Sequence, residues 1–266
     1  MIGLFVLLCF SLVATQSVEY LIQPNDRIMF IGDSSTFQGS IAANGFVRLF
    51  EDELAKQLGS RNIAVFNAAV NLASNARILA NIQENRAVAH FQPTKIIMVS
   101  GTDQFANKTE TSLKQIRFET EALFAAVSDV PSIQFIFCAT LPFGEKIDGS
   151  NPMDVILEEY VGMTQRVAKV YDVAFVDLYS PTLKYLESTN IDNLPSSILT
   201  YNGTALNAAG HQLVSSTLLK ALGVVESNDD ENVLTTKQRE ALEKRAERVR
   251  IREFDLKVNG IRSIII

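Results

Sequence analysis

The stretch Arg27-Ile28-Met29-Phe30-Ile31-Gly32-Asp33-Ser34-Ser35-Thr36 decides the fold. Its first half is a short apolar run of β-prone side chains, the pattern of a strand buried on both faces. Gly-Asp-Ser follows directly, and a helical pattern comes after it. Outward from this unit, comparable runs recur at Ile63–Asn67, Lys95–Ser100, Ile133–Cys138 and Val173–Val176. Between them lie helical stripes at i, i+3, i+4 spacing: Phe46, Leu49, Phe50, Leu54 and Leu58 in one, Leu113, Ile116, Phe118, Leu123 and Phe124 in another. Strands alternating with helical crossovers predict an α/β fold, a three-layer α/β/α sandwich around a five-stranded parallel sheet. In such sheets ligands bind beyond the C-terminal ends of the strands, so the residues just after each strand are the candidates for chemistry.

The chain has 266 residues, 47% hydrophobic and 20% charged, which supports a packed core rather than disorder or a fibrous repeat. Lys and Arg number 24 against 30 Asp and Glu, and the net charge of −6 has the wrong sign for broad neutralisation of phosphates. Nucleic acid is therefore not an expected partner. His90, His211, Cys9 and Cys138 are too few to build a zinc site from several such ligands, and neither metal nor cofactor is expected. No internal repeat is visible.

Residues 1–16, MIGLFVLLCFSLVATQ, hold an apolar run from Ile2 to Val13 with no charged side chain, followed by small or polar residues. This reads as a secretory signal peptide, too short for the ~18 to 20 apolar residues that span a bilayer. A secreted or lumenal protein without a membrane span is expected. Removal of the leader takes Cys9 with it and leaves Cys138, inside the strand-like IQFIFCAT, as an inert core thiol. In that compartment the sequons at Asn107 and Asn202 become glycosylation candidates.

Beyond the main domain, 17–226, the run SNDDE (Ser227–Glu231) makes a polar break. Residues 227–266 then predict a charged helix, with Thr235 and Gln238 as a capping box and Glu240 with Lys244 as an i,i+4 pair. Asn259-Gly260 between two β-prone runs predicts a terminal hairpin. Its apolar edge needs cover, from the main domain or from another copy of the chain.

Four blocks carry a resemblance. Gly32-Asp33-Ser34 after the first strand, Asn67-Ala68-Ala69-Val70-Asn71-Leu72 after the second, Gly101-Thr102-Asp103-Gln104 after the third, and the stretch from Asn202 to His211 near the end follow one another in the order seen in the SGNH, or GDSL-type, hydrolases. That family comprises α/β esterases, thioesterases and lysophospholipases. The resemblance covers about Asp26 to Leu222. It implies a Ser nucleophile, a His base, an Asp three residues before that His, and oxyanion donors from the Ser backbone, a Gly backbone and an Asn side chain.

Position by position, the nucleophile is present as Ser34. The Gly donor position holds Leu72, and the Asn donor position holds Asp103, whose charge repels an oxyanion. The Asp position holds Asn202 and the His position Ala205. A serine hydroxyl is a poor nucleophile without a base in reach. Loss of a triad member removes on the order of a million-fold in rate. His211 lies six residues past Ala205, and His90 precedes the third strand, so neither is expected to serve Ser34. The leading expectation is a secreted pseudoenzyme that keeps a cleft for a small polar or acylated ligand, with Ser34, Asp103 and Asn202 as polar contacts. One alternative is an active carboxylic-ester hydrolase using Ser34 with a non-standard base, Asp103 first. Another is a scaffold whose segment 227–266 mediates oligomerisation or partner binding.

Overall fold

The run beginning at Arg27 forms β1 (Arg27–Gly32), hydrogen-bonded on both sides. The structure, a computed structural model, describes residues 22–84, 87–106, 113–128, 132–151 and 153–225. The leader expected over 1–16, the Asn107 sequon, and the helix and hairpin expected over 227–266 lie outside the described residues.

With β2 (Ala64–Asn67), β3 (Lys95–Val99), β4 (Gln134–Cys138) and β5 (Ala174–Val176), β1 builds a sheet of order β2-β1-β3-β4-β5, all pairs parallel. Helices cover both faces, as the alternation predicts. The pleat explains why the strands read as unbroken apolar runs, because successive side chains serve opposite layers. Met29, Ile31, Ile96, Met98, Phe135 and Phe137 enter one core. Ile28, Phe30, Ile97, Val99, Ile136 and Cys138 enter the other. The first core is closed by α3 (Asn75–Glu84), α6 (Leu113–Ser128) and α7 (Asp154–Val170), through Ile78, Phe124 and Tyr160 among others. The second is closed by α2 (Phe46–Leu58) and α9 (Ala208–Ala221), through Phe46, Phe50, Val214 and Leu218. Each fully buried side chain of this size contributes ~1.5–3 kcal/mol. The remaining helices are α1 (Ser34–Ile41), α4 (Ala87–Phe91), α5 (Thr102–Ala106) and α8 (Tyr179–Thr189).

One assignment of the apolar pattern is corrected. Phe118 is 66% exposed, whereas Ile116, Leu123 and Phe124 of the same helix are buried. Phe118 stands two residues after Ile116, an angle of about 200° around the helix, so it points to solvent. Cys138 is fully enclosed, and burial pushes its thiol pKa far up, as fits an inert core thiol. Among the described residues no helix is long and apolar enough to cross a membrane.

Candidate active site

The strand order reverses its direction of growth between β1 and β3, and that switch point is where open parallel sheets form their ligand crevice. Ser34 follows β1 and Asp103 follows β3, so the topology brings the two together. At Gly32 the chain leaves β1 with φ +154, and a Cβ there would lie 2.0 Å from the Val99 carbonyl oxygen. Only glycine permits that approach. Asp33 then caps α1, its Oδ1 accepting from Ser35 N at 3.0 Å. Its Oδ2 accepts from Gly101 N at 3.0 Å and Asp103 N at 3.2 Å, tying the turn after β3 to the turn after β1. Burial, reinforced by the neighbouring charge of Asp103, raises the Asp33 pKa to about 6 against the pull of those backbone N–H groups.

Asp103 is 5% exposed, and its Oδ2 gathers three donors: Ser34 N at 2.9 Å, the Ser34 hydroxyl at 2.6 Å and Ala73 N at 3.1 Å. Two of these are backbone N–H groups converging beside the serine, the arrangement that stabilises an oxyanion. Here a carboxylate already occupies it. Ser34 Oγ also accepts from Leu72 N at 2.9 Å, and the Asn71 side-chain oxygen lies 2.8 Å away. One hydroxyl carries one hydrogen, and the shorter contact with Asp103 claims it. The Asn71 amide is therefore satisfied best with its NH2 turned to the serine, an orientation chosen by the network. In that arrangement both Ser34 lone pairs are engaged. Leu72 adopts φ 57, a left-handed conformation natural to glycine, and its side chain is 69% exposed. It leaves the pocket open while its N–H reaches Ser34.

The loop before α9 carries Asn202 and Ala205. Asn202 Oδ1 accepts from Thr204 N at 3.2 Å, Thr204 Oγ1 at 3.1 Å and Ala205 N at 2.9 Å, so the side chain is turned onto its own loop. Ala205 lines the cleft with nothing to accept a proton. A buried anchor holds this loop: Glu145 accepts from Ile198 N at 2.7 Å, Leu199 N at 2.9 Å, Thr200 N at 2.6 Å and Thr200 Oγ1 at 2.6 Å. The resulting cleft has a volume of about 610 Å³. Ser34, Asp103 and Ala205 line it, together with Tyr201 and His211; Asn202 and Leu72 do not. His90 sits on α4, before β3, at the opposite end of the sheet.

Reasoning from sequence missed Asn71 and Ala73 as neighbours of Ser34, and Glu145 as the anchor of the Asn202 loop. The block after the second strand, Asn67 to Leu72, offered a signal for the first two. Glu145 offered none, since a single Glu in a polar loop carries no periodicity.

Ser34 heads the helix after β1, at the switch point of a five-stranded parallel sheet in a three-layer α/β sandwich. The model of the GDSL-like Lipase/Acylhydrolase family matches residues 30–213, and the chain belongs to that family of SGNH/GDSL hydrolases. No curated protein gives a significant match. Among solved structures, the fold is similar to the acetyl xylan esterase AlAXEase, with a TM-score of 0.67 and 21% identity, covering 74% of this chain and 99% of that one. It is also similar to Axe2, an acetylxylan esterase from Geobacillus stearothermophilus, with a TM-score of 0.64 and 20% identity over 77% of this chain and 99% of that one. LAE5, an alpha/beta hydrolase enzyme from the metagenome of Lake Arreo, Spain, gives a TM-score of 0.65 at 21% identity over 79% and 100%. Solved forms of Axe2 include catalytic mutants in which a serine, an aspartate or a histidine is replaced by alanine, the last two three positions apart in that chain.

Proposed function

We propose that this SGNH/GDSL-family domain is a pseudoenzyme that retains its cleft for a small polar or acylated ligand. The observation that carries the reading is Asp103 Oδ2 seated on the N–H groups of Ser34 and Ala73. A tetrahedral oxyanion in that place meets a negative charge where it needs donors. Two unit charges about 4 Å apart repel by about 4 kcal/mol at an effective dielectric of 20, roughly a thousandfold in rate. The base is missing as well. Axe2 has catalytic mutants at an aspartate and a histidine spaced as Asn202 and Ala205 are here, and neither of these two side chains can relay a proton.

One contact favours a second reading, an ester hydrolase in which Asp103 is the base: its 2.6 Å hydrogen bond to the Ser34 hydroxyl. The same oxygen also accepts two backbone N–H groups, which occupy the lone pairs that a base would use. The first reading stands for that reason. Secretion and a glycan on Asn202 belong to the same proposal. The expected leader supports the former, and the exposure of Asn202 in its sequon supports the latter.

The test is hydrolysis of short-chain aryl esters by the wild type and Ser34→Ala, expressed through a secretory host, at several pH values. Equal background rates are expected. Turnover abolished by Ser34→Ala overturns the pseudoenzyme reading in favour of the second.

A further inference from the structure

One polar group lining the cleft is left unexplained. His211 lies in the first turns of α9 and lines the cleft together with Gln38, Ala42 and Asn44 from α1 and the loop after it. Its ring packs 6.0 Å from that of Phe46, which in turn lies against Gly39 of α1. The residue is 5% exposed, and its Nδ1 is sealed in the protein with no hydrogen-bond partner. A buried N–H without an acceptor is the rarer and costlier orphan, so the ring's proton belongs on Nε2, the nitrogen left to face the cleft. Burial lowers the pKa of the ring and favours its neutral form. Among the described residues lining the cleft, Asp103 is the one that carries a charge, and no Lys or Arg is present to receive an anion.

Building on the cleft as a binding site, we propose that His211 is its specificity-determining residue, whose Nε2–H donates to a carbonyl or hydroxyl oxygen of an uncharged ligand. The neighbouring Gln38 and Asn44 amides suit the same chemistry, since each both donates and accepts. An anionic ligand finds no countercharge there and meets Asp103 instead.

The experiment follows the histidine side chains of the ¹⁵N-labelled full-length chain by long-range ¹H–¹⁵N NMR, with only two imidazoles to assign. Glycerol triacetate serves as the neutral carbonyl probe and sodium acetate as the anionic one. The expected result is a neutral His211 protonated at Nε2, whose Nε2 resonance shifts saturably with the triacetate and not with acetate. His211→Phe, which keeps the ring packing on Phe46, is expected to weaken triacetate binding about fivefold, as loss of one neutral hydrogen bond does. His211→Gln, which still offers an N–H, is expected to recover part of it. A proton on Nδ1 overturns the proposal without any variant. Binding that moves Ser34 and Tyr201 amides but leaves His211 unshifted, with His211→Phe as tight as wild type, overturns it and leaves the binding cleft standing. No shift anywhere in the cleft removes both.

Discussion

Asp33 and Asp103 are two carboxyl groups joined through one backbone turn, and each governs what the other can do. Burial first and the charge of Asp103 second raise the Asp33 pKa to about 6. Asp103→Asn removes the second cause, so the Asp33 pKa is expected to fall below about 6 in a ¹³C carboxyl NMR titration. The sign for stability follows from linkage. A carboxyl whose folded pKa exceeds its unfolded value binds its proton more tightly in the fold. The contribution of Asp33 to stability is therefore full below about pH 4 and lost as pH rises through about 6, and Asp103→Asn flattens that dependence. Leu72 gives a second expectation at this scale. Its φ of 57 costs roughly 1–2 kcal/mol in a non-glycine residue, and its exposed side chain gains little from packing. Leu72→Gly is expected to raise the denaturant midpoint, by about 1 kcal/mol of stability.

The loop leading to α9 is an element held from below by one side chain. Glu145 is 1% exposed, and its carboxylate takes four donors from Ile198, Leu199 and Thr200. Hydrogen bonds to a buried charge are worth about 1.5–3 kcal/mol each, and a lost acceptor strands its donors. Glu145→Gln replaces one acceptor oxygen by an NH2 that faces N–H groups. It is expected to destabilise the protein by about 2–4 kcal/mol in chemical unfolding, and to speed amide exchange at 198–200 ahead of the sheet. This element also marks how far the sequence could be read. The strands are legible because burial on both faces makes each a continuous apolar run, and Ser34 and Asp103 are legible because each follows such a run. Glu145 is not, because its role arises from a contact between loops distant in sequence, where neither periodicity nor spacing leaves a trace. Phe118 shows the opposite failure, an apolar residue inside a helical pattern that the helix turns outward.

For the molecule as a whole, the sheet order fixes where chemistry can occur, and side-chain identity decides whether it does. The order β2-β1-β3-β4-β5 forces the ends of β1 and β3 to meet at the switch point, whatever residues stand there. The family fold and its cleft are therefore kept, while Asp103 Oδ2 takes the N–H groups of Ser34 and Ala73 and the loop before α9 carries Asn202 and Ala205. On the proposed reading Ser34, hydrogen-bonded to Asp103 Oδ2 and to Leu72 N, is not activated. An activated serine attacks phosphorus in a fluorophosphonate and displaces fluoride, which leaves a covalent adduct of known mass. The most direct measurement is the intact mass of the protein after incubation with such a probe, beside Ser34→Ala. No adduct is expected on either protein. A stoichiometric adduct on the wild type that Ser34→Ala abolishes would contradict the pseudoenzyme reading.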